Sequence, residues 1–259
     1  MILVPIEKMR RFSRMVAVGI HLLNIILVTI LSSCALFSGS KTMTAKESEL
    51  IFGKLVIAEK QINNGDAHKA LIMLRNISKK HPDHPEILNM MGLSHLARKN
   101  PQAATKYFRK AYEIQKSIAY ALNYSSALIE IGSFSKARSI LLDAPGIEQY
   151  PHTERLYHNI ALSYAKEKKL NLAVIYYKKA LTQNTSYYLS HYQLGILYQS
   201  IGQKTKARVS YDKTTKFCPT CFDSLKRSTQ ISLSLKQKKR AVQTLRVYMK
   251  QNKKKELNL

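Results

Sequence analysis

The sequence predicts an all-α chain built from six similar helix–turn–helix units, and three spacings support this prediction. An alanine recurs every 33 to 36 residues, at Ala70, Ala104, Ala137, Ala173, Ala207 and Ala241. Twelve residues before each alanine is a small residue: Ala58, Gly92, Ser125, Ala161, Gly195 and Thr229. Four residues after each alanine is a large side chain: Leu74, Phe108, Leu141, Tyr177, Tyr211 and Leu245. Paired small residues let two antiparallel helices pack closely where they cross, and the large residues fill the space between a hairpin and its neighbour.

A period near 34 residues with these positions in phase resembles the tetratricopeptide repeat. Gly65, Gly132 and Gly202 come five residues before their alanines, between the two helices of a unit, where a positive φ angle is useful. The resemblance implies a tetratricopeptide superhelix of about six helix–turn–helix repeats, because a single helical hairpin cannot bury its own apolar faces. The sixth unit carries Ser228 and Ser232 in its first helix, and we predict that it caps the array.

The N-terminal 34 residues follow the order of a secretory signal. A basic segment ending at Arg14 precedes an apolar stretch at residues 15–31. The sequence Leu31-Ser32-Ser33-Cys34 then resembles the lipobox of bacterial lipoproteins, which implies that Cys34 is acylated and becomes the first residue of the mature chain. The alternative is an N-terminal transmembrane helix, which is disfavoured because the stretch is short and contains His21 and Asn24.

The predicted organisation is a signal peptide at residues 1–33, a lipidated tether at 34–43 and a repeat array at 44–255. Thr44 and Glu47 form a capping box that should start the first helix. By resemblance to the sorting of Gram-negative lipoproteins, Ala35 after the cysteine implies the outer membrane. We therefore expect a protein anchored by lipid to the periplasmic face of that membrane, since two or more acyl chains give stable attachment.

The chain is strongly basic, with 42 lysine and arginine residues against 16 acidic ones and a formal net charge of +26. Such a charge favours anionic partners in general and indicates little about the fold. An exported chain would not meet nucleic acid, so we expect no nucleic-acid partner. The basic residues clustered in the last unit, such as Lys238, Lys239 and Arg246, could contact anionic lipid or cell wall or could simply form a solvated face.

Cys218 and Cys221 have the C-x-x-C spacing of redox and zinc sites, but the context fits neither. A thioredoxin-like motif needs a βαβ setting, and a zinc site needs two further ligands that nothing nearby supplies. In an oxidising compartment the two could form a local disulfide, or they could remain buried thiols. The sequence also contains no catalytic grouping or phosphate loop, so we expect no enzyme activity, cofactor or metal. Thiol exchange by the two cysteines is the weakest alternative.

In tetratricopeptide proteins the first helix of each unit lines the concave surface. By repeat position, the residues that we expect in a partner-binding groove are Asn89, Leu93, Leu96, Asn123, Ser126, His158, Asn159, Leu162, Tyr192, Gln193, Ile196 and Gln199. The set combines amides, which can bond a peptide backbone, with apolar anchors, as a peptide groove requires. Each residue could alternatively serve only in packing between helices.

A lipobox followed by six such units resembles the type IV pilus biogenesis and stability lipoproteins, the outer-membrane pilotins. The 36-residue step around Tyr150 and Pro151 is similar to a Tyr-Pro insertion that those proteins carry before a middle repeat. The cysteine pair departs from them, because it lies between units five and six. The resemblance implies a non-enzymatic scaffold whose groove binds secretin subunits during ring assembly. The alternative is a lipoprotein adaptor for cell-wall hydrolases or for outer-membrane protein assembly.

Overall fold

The computed structural model describes residues 43–257, and within that range the chain forms twelve α-helices and no strand. The helices are α1 (Ala45–Asn63), α2 (Ala67–Ser78), α3 (Pro85–Ala97), α4 (Pro101–Ile114), α5 (Ile118–Glu130), α6 (Phe134–Leu142), α7 (Thr153–Lys166), α8 (Leu170–Gln183), α9 (Tyr188–Ser200), α10 (Lys204–Phe217), α11 (Phe222–Ser234) and α12 (Lys238–Leu257). The all-α prediction is confirmed. Successive helices pair as units in the register of the recurring alanines, from α3 with α4 to α11 with α12. Ala58 of α1 and Ala70 of α2 share one buried cluster.

The signal peptide, Cys34 and the tether up to residue 42 lie outside the described residues. The predicted domain boundaries therefore stay predictions. None of the helices described between residues 43 and 257 combines the length and the apolar character needed to cross a bilayer.

Local sequence explains where several helices begin. The backbone N–H of Glu47 donates to Thr44 Oγ1 at 3.2 Å, as the capping-box pattern predicts. Asn100 caps α4 by accepting from the N–H of Ala103 at 3.0 Å, and Pro101 occupies the first helical position, where its missing N–H costs nothing.

The turns inside the units use left-handed backbone conformations. Gly65, Gly132 and Gly202 have φ angles of 87°, 80° and 75°. At the equivalent position of the other three units lysine takes the same conformation, with φ of 57° to 61° at Lys99, Lys168 and Lys236. A turn that glycine forms without a steric cost is thus formed in half of the units at some cost in strain.

The small and large repeat positions meet inside a unit. A methyl group added at Gly92 would lie 2.5 Å from the ring of Phe108, and one added at Gly195 would lie 2.6 Å from the ring of Tyr211. The aromatic ring of the second helix therefore packs directly on the backbone of the first helix. The large residue fills the crossing within its own hairpin, whereas the sequence had suggested a place between hairpins.

The core runs as three clusters of buried side chains along the array. All six repeat alanines are buried, as are the large residues of the first five units. Leu245 of the sixth unit is the exception, with 46% of its surface exposed. Among the described residues no helix after α12 covers it.

Cys218 and Cys221 are joined by a disulfide, with the sulfur atoms 2.05 Å apart. Cys218 lies directly after α10 and Cys221 directly before α11. The bond therefore closes the turn that connects units five and six.

We expect Gly195→Ala to destabilise the fold by about 1–3 kcal/mol, because the added methyl group must displace the buried Tyr211 ring. Gly53→Ala is the matched control, since Gly53 lies in α1 with no atom within 4 Å of an added methyl group. The same substitution there should stabilise the helix by about 0.5–1 kcal/mol. Urea unfolding of the purified proteins, followed by circular dichroism, measures both. Equal stability of Gly195→Ala and wild type would contradict the close crossing.

Candidate peptide-binding groove

A row of hydrogen-bonded amides links the first helices of units two, three and four. Asn123 on α5 donates from Nδ2 to Oδ1 of Asn89 on α3, at 2.8 Å. Asn159 on α7 donates from Nδ2 to Oγ of Ser126 on α5, at 3.1 Å. The partners lie one repeat apart, so the repeat spacing itself brings four of the predicted groove residues together across three helices.

This amide row keeps unused hydrogen-bonding capacity. Within the described part of the chain, neither Nδ2 of Asn89 nor Oδ1 of Asn123 and Asn159 has a hydrogen-bond partner, and these atoms are not buried. Gln193, the next position of the row on α9, is half-buried and forms no side-chain hydrogen bond with any described residue. Donors and acceptors at this spacing suit the N–H and C=O groups of an extended peptide.

Apolar side chains flank the amides. Leu93 and Leu96 on α3 and Leu162 on α7 are half-buried against the core of units two to four. Ile196 on α9 is half-buried against the next core cluster. Part of each side chain remains open to a partner, so the surface pairs apolar anchors with directional polar groups, which is the composition of peptide-binding grooves.

The groove changes character at unit five, where predicted residues bond to the array itself. The hydroxyl of Tyr192 donates to Oδ2 of Asp223 on α11 at 2.6 Å, and Nε of Arg227 donates to the same oxygen at 2.6 Å. The hydrogen bond from Tyr192, reinforced by Arg227, holds the pKa of Asp223 below its usual range. Because Asp223 belongs to α11, its hydrogen bond with Tyr192 joins unit five to unit six. Within unit five, Gln199 accepts from the hydroxyl of Tyr211 at 2.8 Å.

The prediction that His158 lines the groove is wrong. Only 7% of its surface is exposed, and its Nδ1 lies 2.9 Å from Oγ of Ser190 on the next unit. Its ring packs between Tyr177 and Tyr187, with centroid distances of 5.4 Å to each. Burial lowers the pKa of His158 to about 4. This histidine is neutral near pH 7 and holds units four and five together.

The contact of Tyr192 with Asp223 and Arg227 was not predicted from the sequence. Their i, i+4 spacing on one helix indicates an ion pair, but only the packing of α9 on α11 brings Tyr192 to it. Throughout residues 43–257 no group of three or more His, Cys, Asp or Glu side chains is arranged to hold a metal ion.

Comparisons with known proteins agree with this architecture. The model of the tetratricopeptide repeat family matches residues 85–118 and 154–187. A search of curated protein sequences finds no significant match. Among solved structures, PilF of Pseudomonas aeruginosa is 20% identical over 76% of this chain and 89% of its own, with a TM-score of 0.64.

Two further structures are similar. PilW, described as a widely conserved type IV pilus biogenesis factor, is 19% identical over 76% of this chain and 90% of its own, with a TM-score of 0.64. TTC0263, a thermophilic tetratricopeptide protein of Thermus thermophilus, is 20% identical over 70% of this chain and 98% of its own, with a TM-score of 0.60. These likenesses establish the fold: the chain has an all-α tetratricopeptide architecture.

We expect His158 to make stability depend on pH. Because its pKa is about 4 when folded and about 6.5 when unfolded, the unfolded chain binds more protons between these values. The contribution of neutral His158 to the free energy of unfolding is therefore complete above pH 6.5. It is lost as the pH falls to 4, by at most about 1.4 kcal/mol per pH unit. Urea unfolding at pH 7.5 and pH 5.0 measures the loss. His158→Gln should reduce it and exposed His68→Gln should not; equal loss in both variants would refute the assignment.

Proposed function

We propose that this chain is a membrane-anchored tetratricopeptide scaffold that acts in type IV pilus biogenesis and supports assembly of the outer-membrane secretin. The observation that carries the proposal is the extent of the structural likeness. The described array spans about nine tenths of both PilF and PilW, and PilW is itself a type IV pilus biogenesis factor. The lipobox at Cys34 and the insertion before the middle repeat support the same function.

The groove would act by holding an extended secretin segment, without any covalent step. The free amide groups of Asn123, Asn159 and Gln193 bond the backbone of the segment, and Leu93, Leu162 and Ile196 take its apolar side chains. The acyl chains of Cys34 would fix the scaffold at the outer membrane, so that the bound subunits concentrate where the ring forms.

The same groove would also serve an adaptor for cell-wall hydrolases or outer-membrane protein assembly. TTC0263 has a similar fold and is described only as a thermophilic tetratricopeptide protein, so the fold alone does not decide between the two functions. The identity of the bound segment separates the two functions.

We expect Leu162→Ala combined with Gln193→Ala to reduce heat-resistant secretin multimers several-fold in cells that lack the wild-type protein. The change removes an apolar anchor and an amide with no internal partner, and such anchors contribute about 1–2 kcal/mol each. Leu172→Ala combined with Gln203→Ala is the matched control, because both residues are exposed outside the groove and the residue types are the same. Immunoblots of unboiled samples give the readout. Normal multimers with a folded groove variant would favour the adaptor function.

We expect Cys34→Ala to abolish incorporation of radioactive palmitate and to release the protein from the membrane fraction. The substitution removes the proposed attachment point, and a folded repeat array does not require it. Metabolic labelling followed by immunoprecipitation measures the incorporation. Labelling of the Cys34→Ala protein, or none of the wild type, would overturn the anchor.

A further inference from the structure

Two units contain a stacked pair of rings that joins their two helices. In unit two, His95 on α3 stacks on Tyr107 on α4, with centroids 5.3 Å apart and planes at 11°. In unit four, Tyr164 on α7 stacks on Tyr176 on α8, with centroids 5.4 Å apart and planes at 27°. In both pairs the rings are twelve residues apart, and the second ring lies three residues after the repeat alanine.

Unit five has the first member of this pair and lacks the second. The equivalent residues are Tyr198 on α9 and Ser210 on α10. The hydroxyl of Ser210 donates to its own helix, at the carbonyl of Lys206 2.9 Å away, and its side chain is too short to reach across the hairpin as a tyrosine does.

A cavity of about 290 Å³ opens at this point, between α8, α9 and α10. Leu181, Leu194, Tyr198 and Val209 line it with apolar surface. The volume lies at the lower end of the range of ligand sites, roughly 300–1,000 Å³, and is large enough to admit one aromatic side chain. Ser210 lines the cavity, so the cavity lies beside the position at which units two and four carry the second ring.

The rim of the cavity is positively charged. Lys178, Lys206 and Lys213 line it, and no carboxylate does. None of the three forms an ion pair with a described residue, and Nζ of Lys206 lies 5.6 Å from the centroid of the Tyr198 ring. An occupant that combines an aromatic ring with adjacent negative charge would therefore match both the apolar floor and the rim.

The cavity is separate from the peptide groove. It uses the face of α9 that carries His191, Leu194 and Tyr198, whereas the groove uses the face that carries Tyr192 and Ile196. A ligand in one site would leave the other open.

We propose that this cavity is a second docking site, which takes an aromatic side chain of a partner protein segment whose neighbouring residues are aspartate or glutamate. The incoming ring packs on Tyr198 in the place that Tyr107 and Tyr176 occupy in units two and four. Stacking of this kind strengthens binding beyond the burial of the ring alone. The lysines select acidic neighbours, and their contribution weakens as salt is raised.

Ser210→Tyr is the decisive variant, because it supplies the missing ring from the chain itself. The substitution reproduces the pairing of units two and four, so it should preserve or raise the melting temperature while filling the cavity. Thr244→Tyr is the matched control, since Thr244 occupies the equivalent position of unit six and makes the same bond to the carbonyl four residues earlier.

The probe is a phage-displayed library of random heptapeptides, selected on the full-length protein in a neutral detergent. We expect a class of peptides with Phe, Tyr or Trp next to Asp or Glu, whose synthetic forms bind at least tenfold more weakly to Ser210→Tyr and normally to Thr244→Tyr. Lys206→Gln with Lys213→Gln should weaken them several-fold, whereas Lys106→Gln with Lys136→Gln on other second helices should not.

The proposal is overturned if no selected peptide loses affinity for Ser210→Tyr, or if the sensitive peptides lack an aromatic residue or acidic neighbours. Flotation with vesicles of phosphatidylglycerol tests the other anionic occupant. Vesicle binding that Ser210→Tyr abolishes, without sensitive peptides, would assign the cavity to lipid and overturn a protein partner. If Ser210→Tyr lowers the melting temperature, Val209→Glu at the cavity wall replaces it, and unchanged peptide binding by that variant would equally overturn the proposal.

Discussion

The contact between an aromatic ring and a bare helix backbone is the constraint on which the rest of this structure depends. Phe108 against Gly92 and Tyr211 against Gly195 set how closely the two helices of a unit approach. In these two units that approach sets the thickness of the hairpin and hence the distance from its first helix to the first helix of the next unit. Only at this spacing can Asn123 reach Asn89 at 2.8 Å, so the hydrogen-bonded face of the groove follows from a steric contact in the core.

Hydrogen bonds and ion pairs join units five and six, where less apolar surface is buried. Asp212 on α10 accepts hydrogen bonds from Arg208 on its own helix and from Ser228 and Arg240 of unit six. The first helix of that unit buries Ser224, Ser228 and Ser232, which offer little apolar surface, and Leu245 remains exposed. A carboxylate shared by two arginines and a hydroxyl compensates, because charge-assisted hydrogen bonds are stronger than neutral ones. The sixth unit is thus held to unit five by electrostatic contacts, while α12 leaves Val242 and Leu245 exposed to solvent.

The repeat period predicted the fold, because helix pairing in phase is a local property that spacing records, whereas the groove positions remain predictions. The period could not predict the role of His158, because a side chain at this repeat position can face either the groove or the neighbouring hairpin. Its contacts with Ser190 and Tyr187 of the next unit turn it toward the hairpin. Nor could the period predict Asp223 as the partner of Tyr192, 31 residues away. Glycine at the turn position predicted the turns of three units. In the other three units the same turn forms although the sequence carries lysine there, so its local sequence did not predict it.

A repeat array offers a physical reason to look for sites where one unit departs from its siblings. Substituting a small residue for a packed ring would ordinarily destabilise a core by leaving a cavity, and Ser210 stands where two other units carry a tyrosine. Three lysines at the rim of that cavity repel one another, and no carboxylate among the described residues lines the cavity with them. Both costs fall at one place on α9 and α10, and both are relieved by the same occupant, a ring with negative charge beside it. Because that occupant lies on the opposite face of α9 from the groove, unit five would hold two protein segments on either side of one helix.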